Sequence, residues 1–345
     1  MMEKLHRVVI TGLGAITPIG NDLKSYLKGL QSGKNGVDQI TLFDASSHAC
    51  RFAAEVKSFD PTGKLEPKES KRWDRFSKFG VIAAKEALNH SGLIIDNSNS
   101  GRIGVIIGSG VGGLLTMETQ AHVLENKGAS RVSPFTVPMM IPNMATGLAA
   151  IALGAKGPSS AVSTACAAGS NAIGDAFRLL QLGKADAMVC GGAEASITPL
   201  GVAGFASAKA LSFRNDDPST ASRPFDSQRD GFVIGEGAGV LILETLDHAL
   251  KRDATIHAEI IGYGTTCDAH HITSPTPGGV GGAEAMKLAL IDGKINPIDS
   301  MILFTTFLLF LAYLKKTIQK IYQKHGLKYL KSWEGHQSCL MHLML

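Results

Sequence analysis

Five cysteines in the 345-residue sequence, Cys50, Cys166, Cys190, Cys267 and Cys339, offer nucleophilic or metal-binding sulfur, and their settings differ. They show no CxxC pair and no metal-type spacing, and an odd count without a framework argues against a secreted disulfide scaffold. Cys166 stands in AVSTACAAGSNAIGDAF (161–177), where a small, partly β-branched run gives way at once to a helical pattern. Ile173, Ala176, Phe177 and Leu180 recur at three- and four-residue steps, so one face of that helix is expected to be buried. Taking Ala161–Thr164 as strand and Ala167 onward as helix sets Cys166 on a sharp turn at a helix N-terminus. Unpaired N–H groups there carry partial positive charge, which favours a thiolate and can hold an oxyanion on an attacked carbonyl. Ala165, Ala167, Ala168 and Gly169 leave room for a substrate and for the turn itself. This is the logic of a nucleophile elbow with sulfur in place of oxygen. A buried structural thiol is the competing reading. Cys190 lies inside an apolar strand, and Cys50, Cys267 and Cys339 lack such a turn, so these four take the structural role.

The elements that must position the thiol alternate along the chain. HRVVITGLG near the start, GRIGVIIGSGVGGL (101–114), ADAMVCGGAEA (185–195), AGVLILET (238–245) and AEIIGYGTT (258–266) read as buried strands, several closing into glycine turns. RFSKFGVIAAKEALNHSG (75–92) has helical apolar spacing and ends at Gly92, a C-cap residue. Short continuous apolar strands between helices predict a mostly parallel sheet covered on both faces. The likeness of VVITGLG to AEIIGYG hints at two related halves. The pairs Gly112-Gly113 and Gly191-Gly192 come with no GxxxxGK[ST] and no complete dinucleotide fingerprint, so they read as close backbone packing rather than a phosphate site.

Bulk properties bound the function. Hydrophobic residues make up 44 % and charged residues 19 %, with 39 glycines, which suits a globular α/β chain with a large core. A net charge of +4 carries no nucleic-acid signal. The opening MMEKLHRVVITGLG lacks the apolar core of a signal peptide. A cytoplasmic location is expected, with a plastid or mitochondrial matrix as the eukaryotic alternatives.

The character changes near residue 300. SMILFTTFLLFLAYL is nearly all apolar, but the run 301–314 is short of the ~20 residues a membrane helix needs. Six lysines, Lys315, Lys316, Lys320, Lys324, Lys328 and Lys331, then stand against one acid, Glu334. The stretch reads either as a buried helix with a basic tail or as sequence foreign to the fold.

VSTACAAGSNAIGDAF resembles the active-site cysteine segment of the β-ketoacyl-[acyl-carrier-protein] synthases, the elongating condensing enzymes of fatty-acid synthesis. RVVITGLGAITPIG (7–20), GVIIGSGVGGL (104–114), VSPFTVPMMIPNMATG (132–147), GGAEASITPLGVAGFASAKALS (191–212), SRPFDSQRDGFVIGEGAGVLILE (222–244) and DAHHITSPTP (268–277) agree in the family's order. The resemblance is dense from about residue 6 to about 297 and is closest to type II synthases that extend long acyl chains. It implies a thiolase-like fold, with α-β-α-β-α layers built from two similar halves and assembled as a homodimer. In that frame residues 1–255 form a complete first half carrying the nucleophile, 256–300 open an incomplete second half, and 301–345 are an atypical apolar and basic tail. It implies that Cys166 takes an acyl group from acyl carrier protein as a thioester, that malonyl-carrier protein loses CO2, and that the carbanion attacks the thioester. It places Val111 beside the acyl channel, Phe205 near the malonyl pocket, and Lys209 at the mouth that meets the acidic carrier protein. Core packing or a solvated side chain are the plainer readings of these three. His271 is expected to be structural. No cofactor and no metal is implied. The family's two histidines sit in NAHGTST-like and KSMTGH-like motifs, and neither motif, nor a late Phe-Gly-rich loop, occurs in this sequence. His325, His336 and His342 lack the family's surroundings and receive no role. The alternative to an active synthase is therefore an inactive relative that binds only carrier protein or a partner subunit.

Overall fold

A computed structural model describes residues 5–296. In chain order it contains β1 (Val8–Ile16), α1 (Leu23–Gln31), β2 (Asp38–Gln39), β3 (Phe52–Ala53), α2 (Pro67–Ser70), α3 (Arg75–Ser91), β4 (Ile103–Gly108), α4 (Leu114–Lys127), α5 (Thr136–Met140), α6 (Met144–Leu153), β5 (Ser159–Ser160), α7 (Ala168–Gln181), β6 (Ala187–Glu194), α8 (Pro199–Ser207), β7 (Gly237–Thr245), α9 (Leu246–Lys251), β8 (Ala258–Ile260) and α10 (Val280–Asp292). The apolar and basic stretch 301–345, with His325, His336, His342 and Cys339, lies outside the described residues. No helix among the described residues is long and apolar enough to cross a membrane.

Six strands form one sheet in the order β5-β4-β6-β7-β1-β8. The expectation of a mostly parallel sheet is corrected here. β4 runs parallel to β5 and β6, but β6–β7, β7–β1 and β1–β8 are antiparallel. The apolar runs suggested parallel strands because both faces are covered, and double coverage makes a strand apolar at every position whatever its direction. Alternation along β4 shows this: Val105 and Ile107 pack with α3 and α6, while Ile106 packs with α7. Val240 and Ile242 of β7 likewise face α3, while Leu241 and Leu243 face α7. Each face thus repeats at the two-residue period of a strand.

Helix α3 starts at Asp74, whose carboxylate accepts the Phe76 N–H at 3.3 Å, and stops at Gly92 in the left-handed region (φ +64°), as the sequence predicted. It buries Phe76 and Phe79 completely. On the other face α7 buries Ala172, Ala176, Phe177 and Leu180. Burying a side chain such as Phe177 or Leu180 contributes about 1.5–3 kcal/mol. β8, read from sequence as the opening of a second half, pairs with β1 at the sheet edge, Val8 opposite Ile260.

Beneath the end of α3 lies a charged cluster. The Glu244 carboxylate is fully buried and receives the Thr11 hydroxyl, His248 Nδ1 at 2.5 Å, and Arg252 Nε and Nη2 at 2.9 and 2.5 Å. Burial alone would raise its pKa, but these donors outweigh it and hold the group at about 2. Nearby, the rings of His90 and His257 stack at 4.8 Å, and His90 Nδ1 accepts the Leu13 N–H. Burial pushes both imidazoles below their usual range, and His257, next to the His90 ring, falls to about 4.

These shifts set an acid limit. A base whose folded pKa is depressed gives its full stability above its unfolded value near 6.5 and loses it as pH falls toward 4. Glu244 then adds a second loss from about pH 4.5 toward 2. Thermal denaturation from pH 8 to pH 3 is expected to show a monotonic fall in Tm below about pH 6.5. His257→Gln should flatten the upper limb, worth about 3 kcal/mol, and leave the lower one. An unchanged upper limb in that variant would show that the stacked pair does not set it.

Candidate active site

The chain around Cys166 differs from its expected form in one respect. The regular strand ends at Ser160, and Ala161–Thr164 continue as extended chain. The Thr146 hydroxyl interrupts the ladder by accepting the Ile107 N–H at 2.9 Å, while beyond it Ser109 N–H donates to Val162 O at 3.1 Å in the register of Val105 N–H on Pro158 O. A single 3-10 turn, Ala165–Ala167, then leads into α7. The turn closes on Thr164 O, which accepts the Ala167 N–H at 3.1 Å. Ala165 adopts φ +50°, a left-handed conformation that costs a non-glycine residue about 1–2 kcal/mol. Cys166 follows it and is exposed. No side chain caps α7; the 3-10 turn does so with its own backbone, Ala165 O accepting the Ala168 N–H, and the thiol stands at the head of the helix.

Glycines let the head of α7 approach the strands. A Cβ at Gly108 would lie 2.3 Å from Ala168 O, and one at Gly192 would lie 3.1 Å from the Gly169 Cα. The thiol therefore stands at the carboxyl ends of the parallel strands β5, β4 and β6, where open α/β sheets place their ligands.

The loop after β4, Ser109–Gly113, forms the facing wall. Glu194, at the end of β6, accepts the N–H groups of Gly110 and Val111 through one carboxylate oxygen, each at 2.9 Å. Gly112 (φ +77°) donates its N–H to Ser109 Oγ at 3.0 Å. Gly110 lies against the strained turn, since a Cβ there would sit 3.4 Å from the Ala165 Cα. Val111, carried on this loop, is 40 % exposed. The Thr146 hydroxyl, on α6, ties β4 to β5 from below: it accepts Ile107 N–H at 2.9 Å and lies 3.1 Å from Ser160 O.

The other sequence candidates separate from this group. Phe205, on α8, packs edge-on against Phe232, with ring centroids 5.5 Å apart, in a cluster with Ile197, Val202 and Leu211. Lys209 is exposed just after α8 in a left-handed conformation (φ +56°), with its N–H on Ala206 O. The hydrogen bonds that tie Val111 to the cysteine wall do not extend to either residue. His271 Nδ1 accepts the N–H groups of Thr273 and Ser274, both at 3.1 Å, and so shapes its own exposed loop. Cys190 is buried in β6, which pushes its thiol up, and burial does the same for Cys50. Cys267 is exposed on the loop after β8.

Sequence reasoning missed Glu194. Its signal was an acid closing an otherwise apolar strand directly after two glycines and an alanine, a position where burial demands a partner. Replacing it with alanine leaves two loop N–H groups without their acceptor, at a cost of about 1–3 kcal/mol. Glu194→Ala is expected to lower Tm and slow alkylation of Cys166, while Glu194→Gln, which keeps an acceptor oxygen, should recover most of both. Equal behaviour of the two variants in calorimetry and alkylation kinetics would remove the carboxylate's role.

Comparison with known proteins agrees with this geometry. The family model described as Beta-ketoacyl synthase, N-terminal domain, matches residues 5–249. A Synechocystis protein named 3-oxoacyl-[acyl-carrier-protein] synthase 2 is 61 % identical over 291 residues, covering 84 % of this chain and 70 % of that one. A solved β-ketoacyl synthase from Burkholderia phymatum superposes with a TM-score of 0.76 at 37 % identity, over 84 % of this chain and 71 % of that one. A type II polyketide ketosynthase, solved in complex with its acyl-carrier protein and bound to a hexaketide, matches with a TM-score of 0.76 at 30 % identity, over 85 % and 71 %. The α/β thiolase-like fold implied by the motifs is thus the fold of this chain. An exposed cysteine on a strained strand-to-helix turn, within a matched segment of this length, makes the chain a member of the β-ketoacyl synthase family.

Proposed function

We propose that the chain is a 3-oxoacyl-[acyl-carrier-protein] synthase of fatty-acid elongation, with Cys166 as its nucleophile. The observation that carries this reading is the exposed thiol at the head of α7, opposite the loop pinned by Glu194. The relative that is 61 % identical bears that enzyme's name. Cys166 Sγ attacks the thioester carbonyl of an acyl-carrier protein, and the Cys166 N–H at the head of α7 stabilises the oxyanion. The carrier thiol leaves, and the acyl group remains on Cys166. In the family's second half-reaction malonyl-carrier protein loses CO2, its carbanion attacks the cysteine thioester, and the thiolate departs from the 3-oxoacyl product.

The two half-reactions make different demands. Acyl loading needs the thiol and the turn, which residues 1–255 supply. Condensation needs donors for the developing carbanion, and the sequence after residue 300 lacks the NAHGTST-like motif that supplies one in the family. The reading for this sequence is loading without condensation, with residues 256–300 as the opening of a second half. In this frame Val111 borders the acyl chain, Phe205 the malonyl group, and Lys209 the acidic carrier protein. Val137 and Ile151, 58 % and 74 % exposed on α5 and α6, offer apolar surface for a second copy in a homodimer. Free thiols and bacterial relatives fit a cytoplasmic protein.

Intact-mass measurement after incubation with a long-chain acyl-carrier protein is expected to show one acyl adduct, absent in Cys166→Ser. Product analysis with malonyl-carrier protein should show no 3-oxoacyl species. An adduct persisting in Cys166→Ser would displace the nucleophile to another thiol, and a 3-oxoacyl product would show that the sequence supplies its own carbanion donors. Lys209→Glu is expected to slow loading roughly three- to tenfold at low salt, with the difference shrinking at 0.5 M salt. An effect independent of salt would place Lys209 outside the carrier contact.

A further inference from the structure

Cys166 depends on a backbone conformation that its own residues do not favour. Ala165 at φ +50° must be held by what surrounds it. Glu194 braces one side through the glycine loop. On the other side, Asn171 Nδ2, in the first turns of α7, donates to Thr164 Oγ1 at 3.0 Å. The Tyr263 hydroxyl donates to Asn171 Oδ1 at 3.1 Å, which fixes the direction of the amide. Thr164 is the residue whose carbonyl closes the 3-10 turn, so one residue receives the end of this chain of bonds and anchors the nucleophile.

Tyr263 is itself closely fixed. Its ring lies across Gly174, where a Cβ would meet Tyr263 Cζ at 2.2 Å, so any larger residue at 174 would displace it. Its N–H donates to Asp292 Oδ2 on α10 at 2.9 Å, and its carbonyl accepts Arg178 Nη2 at 3.2 Å. Arg178 and Asp292 pair at 2.9 Å and close the ring of contacts. Burial and the Asp175 carboxylate push the phenol up, so it remains a donor near neutral pH.

We propose that Tyr263 is a positioning residue for Cys166: through Asn171 and Thr164 it holds the left-handed turn and so fixes the thiol at the head of α7. This rests on Cys166 being the nucleophile. The consequence is that the segment after β8 and helix α10, distant in sequence from the thiol, tune its reactivity.

The test uses the full chain and three variants, Tyr263→Phe, Thr164→Val and Thr164→Ser, with iodoacetamide alkylation of Cys166 followed against pH and acyl loading measured at pH 7. Loss of the relay should slow both alkylation and loading about three- to tenfold in the first two variants, because the thiol is no longer held in one place. Thr164→Ser, which keeps the hydroxyl, should restore both. The double variant Tyr263→Phe/Thr164→Val should be no slower than either single one, because both cut the same chain of bonds. A lowered Tm with unchanged alkylation in Tyr263→Phe would show a merely structural bond and overturn the proposal, as would additive losses in the double variant. A parent chain that loads no acyl group overturns the reading of Cys166 itself. A parent that loads, with variants that match it, overturns the relay alone.

Discussion

The close approach of α7 to the strand ends is the constraint on which the rest of the site depends. Gly169 and Gly192 meet with no side chain between them, and Gly108 lets the carbonyl of Ala168 come within what would be bonding collision for any Cβ. A larger residue at any of these points would lift the helix head, and with it Cys166, away from the loop held by Glu194. The small residues around the thiol are therefore less a space for substrate alone than the condition for bringing a helix terminus and three strand termini to one place. Backbone amides can then converge on a carbonyl without a dedicated side-chain donor.

That arrangement is rigid because it is supported from below. The sheet is apolar on both faces, with α3 and α6 on one side and α7 on the other. Thr146 joins β4 to β5 by hydrogen bonds beneath the site, so the strand that carries the glycine loop and the strand that leads to the cysteine turn cannot slide apart independently. The strain at Ala165 is small beside the burial of residues such as Phe177 and Leu180 on the same helix. A turn that an isolated peptide would abandon is thus held by a core that would not change if the turn relaxed.

What was legible in the sequence was local. Cys166 and its helix could be read because a β-branched run, small residues and helical spacing fall within seventeen consecutive positions, 161–177. The α3 terminus at Gly92 was equally plain. Strand direction was not, because Val105, Ile106 and Ile107 are all buried and report burial on two faces without reporting a neighbour's orientation. Val162 favours strand by type and does keep register with β4 through the Ser109 amide, but the Thr146 hydroxyl, from a different element, interrupts the ladder before it. Glu194 and Tyr263 were invisible for another reason. The partners that tie them to the site, the Gly110 N–H and Asn171, lie more than eighty residues away in the chain, and no local pattern encodes a contact at that separation.

The sheet order also governs how the molecule can be made. β1 is the first strand synthesised, yet its central-side neighbour is β7, with Val8 opposite Thr245, and its outer neighbour is β8. At about 5–20 residues per second, a ribosome exposes β1 for roughly 10–50 s before either neighbour exists. Val8, Val9 and Ile10, all buried in the finished protein, spend that interval without a partner. Loop closure across most of the domain must then precede the pairing that rewards it, which makes the final docking of β1 slow relative to the local helices. A nascent chain of this topology presents β1 as an unpaired apolar strand until β7 emerges.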